Sequence, residues 1–187
     1  MSGGGVFSRG GWIVGDLDTH DNVCRRLCRD LEAVVVSVGY RLAPEHPFPA
    51  GYDDCLAVAR HVAAHRARFG GGPLALAGDS ASADFAAAVA LALRDDGTPV
   101  AAQLLACPAT DLSGRTAYPS MVENATGHLL TAAECENDIQ PYTGGDPAGL
   151  IHGFLNYDTL VPAADAAVTR MYNDFHELVH GAATLGQ

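Results

Sequence analysis

The chain has 187 residues, 48% of them hydrophobic, which predicts one globular domain with its own core over residues 1–187. Its net charge is −11, from 22 acidic and 11 basic residues, and the bases are all arginine without a dense patch, so no nucleic-acid partner is expected. No apolar run approaches the roughly 20 residues of a membrane span and no signal-peptide pattern opens the chain, so a cytoplasmic protein is expected.

The first part of the chain predicts a loop, a helix and a strand. Residues 1–11 are rich in glycine and predict a loop. A helix is expected to start at an N-cap residue, Asp18 or Thr19, and to run to about Leu31. Its apolar residues recur at helical spacing: Val23, Leu27 and Leu31. The valine-dominated run at 33–38 predicts a strand that is buried on both faces.

The middle of the chain continues the alternation. Asp53 or Asp54 can cap a helix whose apolar stripe keeps helical spacing: Cys55, Val58, Val62 and Phe69. Buried strands are predicted at 73–77 and 101–107, with a helix at 83–94 between them. This order predicts an α/β fold with a mostly parallel, doubly wound sheet and helices on both faces.

The last part of the chain carries fewer periodic signals. Residues 109–130 predict a loop, and Thr131 with Glu134 forms a capping box that opens a short helix. Turn residues follow at 141–149, and Pro162 is placed to start a final helix.

The segment Gly78-Asp79-Ser80-Ala81-Ser82 joins the strand at 73–77 to the helix at 83–94. A serine at a sharp corner between a buried strand and a helix is the arrangement of a nucleophile elbow, so Ser80 is the candidate nucleophile. The corner requires small residues two positions before and after the serine, and here they are Gly78 and Ser82. The alternative interpretation is a polar turn that caps a helix.

The chain has five cysteines, an odd number at irregular spacings. They are Cys24, Cys28, Cys55, Cys107 and Cys135. This pattern predicts free thiols that face a core, and neither a disulfide framework nor a metal site.

Four segments form a recognisable set: Gly10-Gly11-Trp12 with Gly15-Asp16, the segment at 40–50 that reads YRLAPEHPFPA, Gly78-Asp79-Ser80-Ala81, and His152-Gly153-Phe154. Together they resemble the hormone-sensitive-lipase family of α/β-hydrolases, the bacterial family IV esterases. The segment at 40–50 is the most specific, and its prolines exclude a helix there.

The resemblance implies a carboxylic ester hydrolase that acts on short-acyl, small-molecule esters through an acyl-enzyme, without a cofactor. Ser80 would be the nucleophile and His152 the general base. The oxyanion hole would be formed by the backbone N–H groups of Gly10, Gly11 and Ala81.

The chain also departs from the family pattern. Ser8 and Arg9 stand where the family has His-Gly, and only three residues separate Gly145-Asp146-Pro147 from Ile151. That gap should hold about fifty or sixty residues, with further strands and the catalytic aspartate. We therefore expect a partial α/β-hydrolase fold that lacks its last strands. The strand at 101–106 would then be an exposed sheet edge, which favours self-association.

No residue matches the family's aspartate, so the acid must be sought elsewhere. Asp111 follows the strand that ends near Cys107, at the carboxyl edge where parallel sheets assemble their sites, and it is the tentative acid. The alternative, which the sequence favours, is that Asp111 caps a turn before Ser113 and Gly114. Most of the other acids are discounted, among them Glu134, Glu136 and Asp138 on a short helix expected to be solvated.

Two alternatives to an esterase remain. The departures from the pattern also fit a degenerate, non-catalytic α/β-hydrolase remnant. Independently, His176-Glu177-x-x-His180 has the spacing of a zinc peptidase motif, although no third ligand follows it in the sequence.

Overall fold

The structure is a computed structural model that describes residues 3–7, 11–109, 112, 119–127 and 130–144. All of these residues belong to one compact unit, Met1–Leu150. Residues 151–187 lie outside the described part, so the expectation of a single domain over 1–187 stays a prediction.

The described residues form a four-stranded parallel sheet in the order β2-β1-β3-β4. The strands are β1 Gly3–Phe7, β2 Val34–Val38, β3 Leu74–Asp79 and β4 Ala102–Ala106. The helices are α1 Asp21–Asp30, α2 Ala50–Ala64, α3 Ala81–Asp95, α4 Pro119–Glu123 and α5 Ala132–Thr143. A 3₁₀ turn, Arg66–Phe69, follows α2.

The direction of the chain across the sheet reverses after β2. The first crossover runs from β1 to β2, and the next passes back over β1 to reach β3. Because parallel crossovers are right-handed, α1 and α2 lie on opposite faces of the sheet. Helices α2 and α3 pack together, as successive crossovers in one direction require. The predicted doubly wound parallel fold with helices on both faces is confirmed.

The prediction of a loop over residues 1–11 was wrong, because Gly3–Phe7 is a central strand. It pairs in parallel with β2 on one side, where Val6 is opposite Ser37, and with β3 on the other, where Val6 is opposite Ala77. Glycine disfavours strands, but two neighbours that hydrogen-bond to the same backbone outweigh that local preference.

The core lies between the sheet and the pair α2 and α3. Its largest fully buried side chains include Tyr40, Phe85, Leu74, Leu76 and Leu93. Tyr40 meets Phe85 edge to face, with ring centroids 4.9 Å apart. The alanines of α3 are almost all buried, and their small size lets this helix approach both the sheet and α2 closely.

Two helices differ from their predicted form. Helix α1 begins at Asp21, and it buries Cys24 while Val23 and Leu31 are 52% and 62% exposed. The apolar face predicted for it was therefore wrong. Helix α2 begins at Ala50, before both predicted caps, and ends at Ala64, so Phe69 lies in the 3₁₀ turn that follows it.

In the second half of the described chain, some predicted elements agree with the structure and others do not. Strand β4 is present, but its residues alternate between exposed and half-buried, so the prediction of a buried strand was wrong. Helix α4 lies inside the predicted loop 109–130. The capping box is confirmed: Thr131 Oγ1 accepts from the Glu134 N–H, and Glu134 accepts from the Thr131 N–H at 2.8 Å. Helix α5 continues through Pro141, which was predicted to start a turn.

All five cysteines lie in the described part of the chain and all are free. Cys24 and Cys55 are buried, whereas Cys28 and Cys107 are exposed. The prediction of free thiols is confirmed, and the prediction that they face a core holds for the first pair only. Within the described residues, no helix has both the length and the apolar character needed to cross a membrane.

Candidate active site

Ser80 lies at the corner between β3 and α3. Its backbone has φ 50° and ψ −123°, a left-handed φ that residues other than glycine seldom adopt. The Ser80 side chain makes no capping hydrogen bond to α3 and is half-buried. The alternative interpretation of a serine that caps the helix is therefore wrong, and the hydroxyl is not used by the helix.

The corner is held by three backbone hydrogen bonds. The Ser80 N–H donates to the carbonyl oxygen of Ala106 on β4, at 2.8 Å. The Ser80 carbonyl oxygen accepts from the N–H groups of Ala83 and Asp84, at 3.0 and 3.3 Å. The turn is thus tied to the neighbouring strand on one side and to the first turn of α3 on the other, which stabilises its unusual φ.

The two small residues of the motif behave differently. A Cβ on Gly78 would overlap the backbone of Ser82 and would lie 2.7 Å from the nitrogen of Ala83. Real contacts of this kind do not occur, so only glycine fits at 78 while α3 passes this close. Ser82 stands where the family usually has a second glycine, and it is fully buried at 0% exposure. The turn accommodates this Cβ.

The topology places the carboxyl end of β1 beside that of β3, the strand that leads to Ser80. Strands β1 and β3 are adjacent and parallel, so their carboxyl ends meet at one edge of the sheet. From this pair the chain crosses over in opposite directions, toward β2 and toward β4. Such a switch point is where doubly wound sheets bind their ligands.

Two of the predicted oxyanion donors lie in the described part of the chain. Gly11 has φ +58°, and Ala81 is the first residue of α3. The first N–H groups of a helix have no partner within it and point toward its N-terminal end, where they favour negative charge. Gly10 lies outside the described residues.

The residue after Gly11 is firmly packed. Trp12 has φ 62° and is only 4% exposed, and its ring stacks on Tyr142 of α5, with centroids 4.7 Å apart and planes 10° from parallel. The Trp12 carbonyl oxygen accepts from the Ala43 N–H at 3.1 Å, and the Tyr142 carbonyl oxygen accepts from the Phe48 N–H at 2.8 Å. The segment at 40–50 and α5 therefore both hold the loop at 11–12, the predicted oxyanion loop.

A pair at this edge was missed by the sequence reasoning. His20, at the start of α1, places Nε2 3.4 Å from Oδ2 of Asp79, the residue before Ser80. Nδ1 of His20 lies 3.1 Å from Oγ1 of Thr19. Thr19 is held by Asp16, because its hydroxyl donates to the Asp16 carbonyl oxygen and its N–H donates to Oδ1 of Asp16. His20 and Asp79 are 59 positions apart in the sequence, so no local pattern could have predicted their contact.

Tyr142 is buried at 4% exposure. Burial, and next the charge of Asp84, raise the pKa of Tyr142 well above its ordinary value. Tyr40 adds to the same effect. Tyr142 is therefore a neutral phenol near pH 7. Its ring packs against Trp12.

Asp138 differs from its predicted environment. It was expected on a solvated helix face, but its Oδ2 lies 2.5 Å from the position that a Cβ on Gly11 would occupy. Ile139 and Tyr142 are 3% and 4% exposed, so the face of α5 that carries them packs on the core. Many side chains of this helix are polar, and the sequence alone therefore indicated a solvated helix.

Several predicted site residues cannot be placed. His152, Asp111, Gly10 and the pair His176 and His180 all lie outside the described residues. The strand that precedes Asp111, β4, pairs with β3, the strand that leads to Ser80. Among the described residues, no three or more His, Cys, Asp or Glu side chains are grouped so that they could hold a metal ion.

Comparison with known proteins agrees with the fold. A family model described as the alpha/beta hydrolase fold matches residues 6–167. Esterase LipI of Mycobacterium tuberculosis is 46% identical over 235 residues, which cover 94% of this chain and 72% of that protein. Carboxylesterase NlhH of the same organism is 49% identical over 129 residues, which cover 66% of this chain and 39% of NlhH.

The LipI alignment extends over more positions than this chain has residues. LipI therefore contains internal residues without a counterpart here, which agrees with the predicted internal deletion.

Solved structures match as well. The structure of DphMB1 superposes with a TM-score of 0.74 at 43% identity, covering 79% of this chain and 49% of that one. The hyperthermophilic esterase of Pyrobaculum calidifontis gives 0.68 at 37% identity, covering 76% and 52%. This chain spans about half the length of these structures. It belongs to the alpha/beta hydrolase fold family, as its resemblance to the hormone-sensitive-lipase branch predicts.

Proposed function

We propose that the protein is a carboxylic ester hydrolase in which Ser80 attacks a short-acyl, small-molecule ester and forms an acyl-enzyme. The observation that carries the proposal is the corner at Ser80, where a left-handed φ and a serine side chain without a capping role combine at the carboxyl edge of β3. The printed names of LipI and NlhH, an esterase and a carboxylesterase, support the same reaction class.

The mechanism assigns each predicted residue one role. His152 takes the proton of Ser80 as Oγ attacks the ester carbonyl, and then returns it to the leaving alcohol. The N–H groups of Gly10, Gly11 and Ala81 stabilise the negative charge on the carbonyl oxygen. Water then attacks the acyl-enzyme, with His152 as base, and releases the acid. No step requires a cofactor.

The test compares hydrolysis of p-nitrophenyl acetate and butyrate by the parent protein and by Ser80→Ala. We expect the variant to lose nearly all of the rate above background, because attack needs the hydroxyl. Equal rates in the two proteins would reject the esterase and favour the non-catalytic remnant. The features that favour the remnant are Arg9, Ser82 and the unmatched catalytic acid.

A labelling experiment locates the nucleophile directly. Treatment with an organophosphate, followed by digestion and mass spectrometry, is expected to modify Ser80 alone. Heat-denatured protein serves as the control and is expected to remain unlabelled, since a serine without its base is unreactive. Modification of another serine with Ser80 intact would refute the elbow as the reactive site.

The zinc peptidase alternative predicts a different result for the purified protein. If His176 and His180 bound a catalytic zinc, purified protein would carry stoichiometric metal and would lose activity on chelation. We expect neither result.

A further inference from the structure

Helix α5 meets the oxyanion loop at two successive residues. Oδ2 of Asp138 lies 2.5 Å from the ideal Cβ position of Gly11, with Cγ at 3.1 Å and Cβ at 3.7 Å. One residue along the loop, Trp12 stacks on Tyr142 with 4.7 Å between ring centroids. Asp138 and Tyr142 are four residues apart, so they lie on the same face of α5 and contact neighbouring residues of the loop together.

The side of Gly11 on which a side chain would project is therefore filled by Asp138. Gly11 has φ +58°, which glycine adopts at no steric cost. Gly11 has no side chain of its own to fix it, and glycine has the greatest conformational freedom of any residue. Its position must be set by what packs against it, and at Gly11 that group is the Asp138 side chain.

We propose that Asp138 is a positioning residue for the oxyanion loop. Its side chain fills the space beside Gly11 and thereby holds the Gly11 N–H where it can bind the carbonyl oxygen of the ester. The proposal rests on the esterase function proposed above. It assigns the effect to the shape of the side chain, because a negative charge near the oxyanion would oppose the charge that develops there.

Trp12 reports on this contact without any need for activity. It is the only tryptophan of the chain, it is 4% exposed, and it follows Gly11 directly. If Asp138 holds the loop, Asp138→Ala will expose the indole. We expect a red-shifted emission and at least a doubled acrylamide quenching constant, while Glu136→Ala, which removes an exposed carboxylate from the same helix, will match the parent.

Two further variants separate shape from charge. Asp138→Asn keeps the shape and removes the charge, so its Trp12 quenching is expected to equal that of the parent. Asp138→Glu keeps the charge but is one methylene longer, and it is expected to displace the loop as Asp138→Ala does. Parent-like quenching in both Asp138→Ala and Asp138→Glu would overturn the proposal. If Asp138→Ala does not fold, parent-like quenching in Asp138→Glu alone would overturn it.

Kinetics complete the test. A misplaced oxyanion donor weakens binding of the transition state more than of the ester, so Asp138→Ala should lower kcat about tenfold with KM within twofold. Asp138→Asn should restore kcat to within about threefold of the parent. An unchanged kcat in Asp138→Ala, or an Asn variant as damaged as the Ala variant, would overturn the proposal.

The two proposals fail in different ways. If the parent shows no hydrolysis that depends on Ser80, the esterase function is rejected, and the response of Trp12 still tests the contact between Asp138 and the loop. If hydrolysis depends on Ser80 but neither Trp12 nor kcat responds to Asp138→Ala, only the positioning role is rejected.

Discussion

Arg41 and Asp54 form a two-point ion pair that ties the proline-rich segment at 40–50 to α2. The Arg41 Nε donates to Oδ2 of Asp54 at 2.9 Å, a second guanidinium nitrogen donates to Oδ1 at 2.8 Å, and the Arg41 backbone N–H also donates to Oδ2 at 2.9 Å. Asp54 was predicted to cap α2 and instead anchors the segment from the first turns of that helix.

The pair predicts a pH dependence of stability. The hydrogen bonds from Arg41 lower the pKa of Asp54 below its ordinary 3.8. Because the folded state binds this proton less tightly than the unfolded chain, the stabilisation is complete above about pH 4 and is lost as the pH falls through the folded pKa. Asp54→Asn should therefore lower Tm by a few degrees at pH 7 and by less at pH 2. Asp53→Asn, at an exposed neighbour, should show no such difference, and an equal Tm loss for Asp54→Asn at both pH values would contradict the prediction.

Removal of the ring that supports Trp12 should destabilise the protein strongly. Tyr142 is 4% exposed and contacts Trp12, Phe48 and Phe85. Tyr142→Ala leaves a cavity, so we expect the free energy of unfolding in urea to fall by about 3 kcal/mol and Trp12 emission to shift to the red. Tyr142→Phe keeps the ring and should keep the emission of the parent. An unshifted emission in Tyr142→Ala would argue against the stack.

Gly78 and Gly97 allow a matched comparison of two reasons for glycine. Gly78→Ala would drive a Cβ into the Ser82 backbone, whereas Gly97 has φ +71° and open space around it. We expect Gly97→Ala to cost about 1 kcal/mol of unfolding free energy, from backbone strain alone. Gly78→Ala should cost more than twice as much and abolish labelling of Ser80, because α3 must move away from β3. Equal costs would show that the elbow is not closely packed.

Self-association through β4 stays a prediction. Among the described strands β4 lies at one end of the sheet, and Leu104 on it is 39% exposed. An apolar edge strand recruits other chains, and a lysine on it opposes that pairing. Light scattering at high concentration should show oligomers for the parent and a smaller species for Leu104→Lys. Val122→Lys, at a 70% exposed position on α4, should associate as the parent does, and a monomeric parent would refute the prediction.

The identity of the catalytic acid can be tested on Asp111, which lies outside the described residues. If it orients His152, Asp111→Asn should lower kcat severely, since in serine proteases the corresponding change costs about 10⁴-fold. If it only caps a turn, hydrolysis of p-nitrophenyl butyrate should remain within a few-fold of the parent. Asp95→Asn, at the exposed end of α3, is the control and should leave the rate unchanged.

Features that depend on a few neighbouring residues could be predicted from the sequence. The capping box of Thr131 and Glu134 is satisfied by hydrogen bonds that span three residues, so its pattern already contains both partners. The corner at Ser80 could be predicted as well, because an apolar strand, a glycine at 78 and a run of helix-forming residues mark it locally, whereas its hydrogen bond to Ala106 on β4 could not.

Features that depend on distant partners were decided by tertiary structure alone. Glycine-rich residues 3–7 form a strand because β2 and β3 flank them, and no local preference indicates this. Asp138 appears in the sequence as one more acid on a polar helix, and it reaches Gly11 only because Tyr142 and Ile139 bury that face of α5. Side-chain periodicity tells which residues can share a face, but the partner of that face is chosen by packing between segments far apart in the chain.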